Sequence, residues 1–202
     1  MFKFILQVRR KESGSMNQFQ IKNGRPQNGT GRTDTELRVY DFLDQLGIEY
    51  ERIDHEAVET MEACREIDQA LAPAVVCKNL FLTNSKENRY YLLMILGDKK
   101  FRSSEVAGQI GSTRLSFASA ERMKKYLDIR PGSVSVMGLM NDTENRVKLL
   151  VDEDLLAYEL LGCHPCVNTV SLRMKTEDVL KRFVPATGHD YVVVHIGKAA
   201  NL

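Results

Sequence analysis

The stretch from Ala74 to Gly97 constrains the fold more than any other. "AVVCKNLFLTN" and "RYYLLMILG" are two strongly β-prone runs, and only "SKEN" separates them. A short polar loop between two such runs closes a β-hairpin, so two neighbouring antiparallel strands are expected in the middle of the chain. One lysine, Lys78, interrupts the first run. Its ammonium group either points to solvent or faces an anion in a pocket, and the pattern leaves both readings open. Asn79 follows and faces the other way on an ideal strand, unless a bulge re-aims it.

The segments around the hairpin alternate between helical and extended patterns. In "TDTELRVYDFLDQLGI", Thr33 and Glu36 have capping-box spacing, Leu37, Tyr40, Leu43 and Leu46 recur at helical spacing, and Gly47 stops the helix. "IEYERID" alternates like a strand, and "TMEACREIDQAL" reads as a helix with Thr60 as its N-cap. "SSEVAGQIG" is a short helix closed by Gly111, "RLSFAS" a strand and "AERMKKYLDI" a helix. "PGSVSVMGL" and "RVKLLVDEDL" read as strands joined by the polar loop "MNDTEN". "VNTVSLRM" is a further strand, "TEDVLKRFV" a helix and "DYVVVHI" the last strand. Successive strands with short turns favour antiparallel pairing. The expected class is α+β: a single domain with a mixed, mostly antiparallel curled sheet flanked by helices. No repeat, glycine-rich phosphate loop or dinucleotide fingerprint is present.

Residues 1–32 differ from the rest. "NQFQIKNGRPQNGTGRT" has almost no apolar periodicity, so 1–32 is expected to be a flexible or loosely docked arm and 33–202 the folded domain. The run "FKFILQV" is too short to span a bilayer, and no small-residue cleavage site follows it. A reducing, cytoplasmic setting with no membrane partner is expected. Lys plus Arg is 28 against 27 for Asp plus Glu, so bulk charge does not announce a nucleic-acid binder. Local clusters do exist: Lys99, Lys100 and Arg102, then Arg122, Lys124, Lys125 and Arg130, with Arg114 between them. Each is a candidate phosphate-contacting surface or an ordinary solvated face.

"GCHPCVNTVSL" spans Gly162 to Leu172 and carries Cys163 and Cys166 at redox-dithiol spacing. Redox dithiols of the thioredoxin type open a helix, whose N-terminal partial charge stabilises the thiolate. Here a β-branched, strand-like segment follows, so that activation is missing. Zinc needs a second ligand pair, and Cys64, Cys77, His55, His189 and His195 are scattered; no metal or other cofactor is expected. Two small residues around a turn remain the plainer reading of the cysteines. Gly162 and Pro165 bracket that turn and hold His164 between them, where a functional side chain is often carried.

Taken in order, these pieces resemble the YbaK/ProX family of aminoacyl-tRNA editing domains. The resemblance runs from "LGIEYERIDHEAVETMEA" through "CKNLFL", "GDKKFRSSEVAGQIGSTRLSFASAERMKKYL", "PGSVSVMGLMND" and "LLVDEDLL" to "GCHPCVNTVSL" and "TEDVLKRFVPATGHDYVVVHI". Within the family it is similar to the freestanding prolyl-tRNA editing type, which acts in trans. The resemblance implies a mixed-sheet α/β domain that hydrolyses the ester between a wrong amino acid and the terminal adenosine of a tRNA. Alanine on the tRNA for proline is the implied target, with cysteine on that tRNA as the alternative, and a catalytically silent tRNA- or synthetase-binding module as a further reading. It maps the family's strand lysine to Lys78 with Asn79 after it, its glycine-to-proline loop to Gly162 through Pro165, and the loop histidine to His164. Gly138 corresponds to the glycine of the "PGSVSVMG" stretch, where Val136 replaces a frequent proline, and Thr60 closes the His-x-x-x-x-Thr segment. Lys78, Asn79 and His164 are thus the implied catalytic set, and Gly138, Gly162, Pro165 and Thr60 line the implied substrate pocket. Lys99, Lys100, Arg102, Arg122, Lys124 and Lys125 are the candidates for contact with the acceptor end. Prolyl-tRNA synthetase is a further candidate partner.

Overall fold

A computed structural model describes residues 19–57 and 61–197. The hairpin forms as the sequence requires. β3 (Val75–Asn84) and β4 (Tyr90–Leu96) pair antiparallel, with Cys77 opposite Leu96 and Thr83 opposite Tyr90. Asn84 closes the turn, its Oδ1 accepting from the N–H groups of Asn88 at 3.1 Å and Arg89 at 3.2 Å. Every residue of β4 is buried, as befits a strand with neighbours on both edges and cover on both faces. Beyond it β6 (Val147–Asp152) and then β9 (Tyr191–Val194) add in parallel.

The other edge of β3 has two partners in succession. Val75 and Val76 pair in parallel with β7 (Leu160–Cys163), while Leu82 to Asn84 pair antiparallel with β5 (Leu115–Phe117). From β7 the sheet continues antiparallel through β8 (Val170–Lys175), β2 (Glu51–Asp54) and β1 (Ile21–Asn23). The strand order is β1-β2-β8-β7-β3-β4-β6-β9, with β5 branching from β3. The sheet is mixed and mostly antiparallel.

Its two faces bury different layers. The larger core joins Phe81, Leu92, Met94 and Leu149 to Tyr40 and Leu43 of α1 (Asp34–Gln45), Leu127 of α4 (Ala120–Leu127) and Phe183. On the opposite face Leu82, Leu93 and Ile95 meet Val106 and Ala107 of α3 (Ser103–Gln109). A third cluster sets Ile53 against Ile67, Ala70 and Leu71, at and just after the end of α2 (Met61–Ala70). Each fully buried Leu or Phe in these layers contributes about 1.5–3 kcal/mol relative to exposure.

Several elements differ from the sequence expectation. Within the region 1–32, expected to be a flexible or loosely docked arm, Ile21–Asn23 forms an edge strand paired with β2. Ion pairs hold this segment: Lys22 reaches Asp54 at 3.0 Å, and Arg32 reaches Asp54 at 2.6 Å and Glu36 at 2.8 Å. Burial opposes the charge on Asp54, but Arg32 and Lys22 outweigh it and pull the carboxyl down to about 2. The expected strand "PGSVSVMGL" is instead a 3-10 helix, Val136–Asn141, capped by Ser135, whose hydroxyl accepts from Met137 N–H at 3.2 Å. Burial of Val136 to Leu139 decides the conformation there, overriding β-branched propensity. Neither β1 nor β7 was expected, so the sheet has nine strands among the described residues. The last helical run covers Thr176–Asp178, a π-helical turn Val179–Phe183 and Val184–Ala186.

Candidate active site

The change of partner along β3 creates the site. β7 ends at Cys163 and β5 at Phe117, and no strand among the described residues pairs with Cys77 to Leu80 on this edge. Gly162 stands beside Val76, and a Cβ there would lie 2.7 Å from Val76 Cγ2, so the close approach of β7 requires glycine. β3 and β7 run the same way, and two residues beyond that pair stand Lys78, in β3, and His164, just past the end of β7. Lys78 is exposed at the gap, and no carboxylate pairs with it among the described residues. Asn79 points its side chain to the other face, where its Nδ2 lies 3.6 Å from Cys77 Sγ. Its Oδ1 is buried with no hydrogen-bond partner. Such an orphaned acceptor is unusual enough to need an explanation.

Two hydrogen bonds tie down the turn after β7. The hydroxyl of Ser135 donates to the His164 carbonyl at 2.5 Å. His164 Nδ1 lies 2.8 Å from the Val170 carbonyl, and since a carbonyl only accepts, Nδ1 carries the proton. The neutral ring therefore keeps its lone pair on Nε2. Burial lowers the His164 pKa, and the nearby His55 lowers it further, against the opposing effect of the Val170 bond. At neutral pH this histidine is an uncharged acceptor. The His55 ring lies 6.3 Å away, held by the Glu56 carbonyl at 2.8 Å and the Ser171 hydroxyl at 3.0 Å. Pro165 is buried, and Cys166 takes a positive φ of 62° to complete the turn.

The cysteines are bystanders to thiol chemistry. Cys163 and Cys166 are buried and unpaired. Burial pushes Cys166 up to about 12, Cys163 well above its ordinary value and Cys77 up to about 11. None is a thiolate at neutral pH, which removes the nucleophile that a redox site needs. Among the described residues no group of His, Cys, Asp and Glu is arranged to hold a metal.

Other expected site residues fall elsewhere. Gly138 is buried in the 3-10 helix, where a Cβ would meet Ile129 Cδ1 at 2.5 Å and Leu127 Cβ at 3.1 Å, so packing against α4 accounts for it. Thr60 lies outside the described residues. Lys99 does not belong to the expected tRNA face: it is 3% exposed, with Nζ 2.7 Å from Asp152 and 2.9 Å from Asp154. Two aspartates claim its charge, and a phosphate has no access. Lys100, Arg102 and Lys125 are exposed, Arg122 is half-buried, and Lys124 is exposed but paired with Asp128. Sequence reasoning missed Ser135, which donates to the His164 carbonyl, and the hydrogen-bonded pair of His55 and Ser171 nearby. Of these only His55 carried a signal, through its place in the His-x-x-x-x-Thr segment.

Known proteins resemble this chain in sequence and in fold. The model of the aminoacyl-tRNA editing domain matches residues 55–182. The chain belongs to that family. The prolyl-tRNA editing protein ProX of Acetoanaerobium sticklandii is 34% identical over 163 residues, covering 81% of this chain and 98% of that protein. A prolyl-tRNA synthetase associated domain-containing protein of Danio rerio is 30% identical over 163 residues, covering 80% of this chain and 87% of its own length. A solved structure named as a candidate trans-editing enzyme for prolyl tRNA synthetase has the same fold, with a TM-score of 0.62 at 19% identity over 82% of this chain and 99% of that one. The family makes this chain an aminoacyl-tRNA deacylase, an ester hydrolase. Among the described residues no helix is long and apolar enough to cross a membrane.

Proposed function

We propose that the protein removes alanine from mischarged tRNA(Pro) in trans, by hydrolysing the ester to the terminal adenosine. The reading is carried by an exposed strand lysine at the gap in β3, which has no ion pair among the described residues, and by a neutral histidine just past the end of the neighbouring β7. An aminoacyl ester is already activated, so its hydrolysis needs a positioned water and a place for developing negative charge, without a nucleophilic side chain. The Lys78 ammonium supplies positive charge beside the ester or the terminal phosphate. Uncharged His164 forms a wall of the amino-acid pocket, with Nε2 as an acceptor. Gly162 and Pro165 hold that wall close to β3, which keeps the pocket small. A small pocket excludes a larger residue by clash, a far stronger discrimination than a large pocket can apply against a smaller guest. The relatives named for prolyl-tRNA editing and for association with prolyl-tRNA synthetase support tRNA(Pro) as substrate and the synthetase as a partner.

A deacylation panel with Ala-, Cys-, Ser- and Pro-tRNA(Pro) tests the reading. Rapid release from the alanyl ester with the prolyl ester left intact is expected. Release of cysteine in preference to alanine would move the specificity, and no release from any of the four would make the chain a binding module.

A further inference from the structure

The gap in β3 has backbone groups as well as side chains, and these point to how the aminoacyl group is held. Successive residues of a strand send their N–H and C=O to opposite edges. Phe81 directs its carbonyl toward β5, where it accepts from Ala118 N–H at 3.0 Å. Asn84 N–H bonds to the Arg89 carbonyl at 3.2 Å across the hairpin, so the even-numbered residues serve β4. Asn79, two residues before Phe81, therefore presents its N–H and C=O to the open edge. Cys77 lies beside β7, next to the Val76–Gly162 pair, and Phe81 beside the end of β5. Between the Val76–Gly162 pair and the Phe81 carbonyl, Asn79 is the residue that turns both its N–H and its C=O to the open edge.

The neighbouring chain vacates this position for a visible reason. Continued antiparallel to β3, the segment that sets Thr83 opposite Ser116 and bonds Ala118 to Phe81 would bring Ala120 opposite Asn79. Instead Ser119 becomes the N-cap of α4, its hydroxyl accepting from Arg122 N–H at 3.3 Å, and Ala120 turns away as the first helical residue. From the other side β7 ends at Cys163 and turns through His164. A paired strand residue normally satisfies such backbone groups, and leaving them unmet under cover is costly.

We infer that the aminoacyl group of the substrate occupies this slot as a one-residue strand, antiparallel to Asn79. This rests on the ester-hydrolase reading above and specifies how the ester is bound. An α-amino acid ester carries a nitrogen donor and a carbonyl acceptor with the spacing of one strand residue. Its ammonium donates to the Asn79 carbonyl, and the Asn79 N–H donates to the ester carbonyl oxygen, where negative charge develops as water adds. In a hydrogen-bonded antiparallel pair the two side chains share a face. The side chain of an L-amino acid thus lies beside that of Asn79, on the face of Cys77 and Phe81, next to the orphaned Oδ1. An L-alanine methyl group would meet these neighbours, whereas a D-residue would turn its side chain to the Lys78 face.

The test uses the full chain, 15N-labelled, with 3′-alanylamido-3′-deoxyadenosine, which keeps the ammonium and carbonyl but resists hydrolysis. The Asn79 amide proton is expected to move downfield on saturation, and its solvent exchange to slow by about tenfold. The D-alanyl analogue should leave it in place. An Asn79 amide that neither shifts nor slows with the L-analogue overturns the inference, whichever other amides respond. Deacylation of Ala-tRNA(Pro) is measured on the same preparation. Activity with a silent Asn79 amide overturns the strand-like binding alone, and absence of activity removes the ester-hydrolase reading with it.

Discussion

Lys78 and Lys99 leave the same end of one hairpin on neighbouring strands, yet they belong to opposite kinds of environment. Lys78 stands on β3 where the sheet divides, exposed, with no carboxylate against it among the described residues. Lys99 follows β4 and is enclosed between Asp152 and Asp154. Burial works against its charge, but the two aspartates more than compensate and raise its pKa. A lysine with its counter-charges built in holds a fold together, whereas one without them is available to a ligand's anion. The difference lies in the opposing strands, and neither lysine's own neighbours in sequence reveal it.

Substitution separates the two roles. Lys99→Met leaves Asp152, which is fully buried, with an uncompensated charge, and is expected to cost about 3–5 kcal/mol. Denaturant unfolding measures the loss, while the folded fraction keeps its deacylase activity. Lys78→Ala should do the reverse, lowering deacylation of Ala-tRNA(Pro) by roughly 100-fold with the unfolding midpoint unchanged. If Lys78→Ala instead destabilised the fold and spared the rate, the contrast would collapse.

The edge strand β1 gives a smaller version of the structural case. Asp54 titrates near 2 in the folded chain against an ordinary 3.8, so the folded state binds fewer protons between those values. The stability this supplies is present above pH 3.8 and fades as pH falls toward 2. Asp54→Asn is therefore expected to lose about 2 kcal/mol at neutral pH and to flatten the stability–pH curve in that acid window. A variant that kept the wild-type acid slope would show that Arg32 and Lys22 hold the segment without this carboxylate.

Local signals in the sequence were read well where local forces decide. Thr33 caps α1 as its spacing implies, accepting from Glu36 N–H at 3.2 Å. The other half of the capping box is diverted: Glu36 is buried and takes the Tyr40 hydroxyl at 2.7 Å and Arg32 at 2.8 Å. The hairpin, with its polar turn, was legible for the same reason. β7 was not, because Gly162 and Cys163 have little strand propensity and are held extended by β3 and β8, far away in sequence. The 3-10 helix at Val136 was misread because burial outweighed its β-branched pattern. Lys78, Asn79 and His164 are candidates through the order of motifs along the chain, while the open edge beside Lys78 and Asn79 exists only once β5 and β7 are in place.

The basic surface repeats the lysine contrast in its weakest form, within a single helix. Lys124 and Lys125 are consecutive and both exposed, but Lys124 pairs with Asp128, a carboxylate that also receives Arg38 at 2.6 Å. Lys125 has no ion pair among the described residues and lies 5.4 Å from the Tyr126 ring. Exposed ion pairs are worth about 0–1 kcal/mol, so the pairing of Lys124 only partly withholds its charge from a phosphate. Lys125→Glu is expected to weaken tRNA binding a few-fold and to reduce the slope of log K against log salt by about 1. Lys124→Glu should change that slope less and cost some stability at the C-terminus of α4, where it sets a negative charge against Asp128. Filter binding across a salt series distinguishes the two. Equal slopes would mean that a surface carboxylate leaves its lysine free, and that the rule separating Lys78 from Lys99 needs burial to operate.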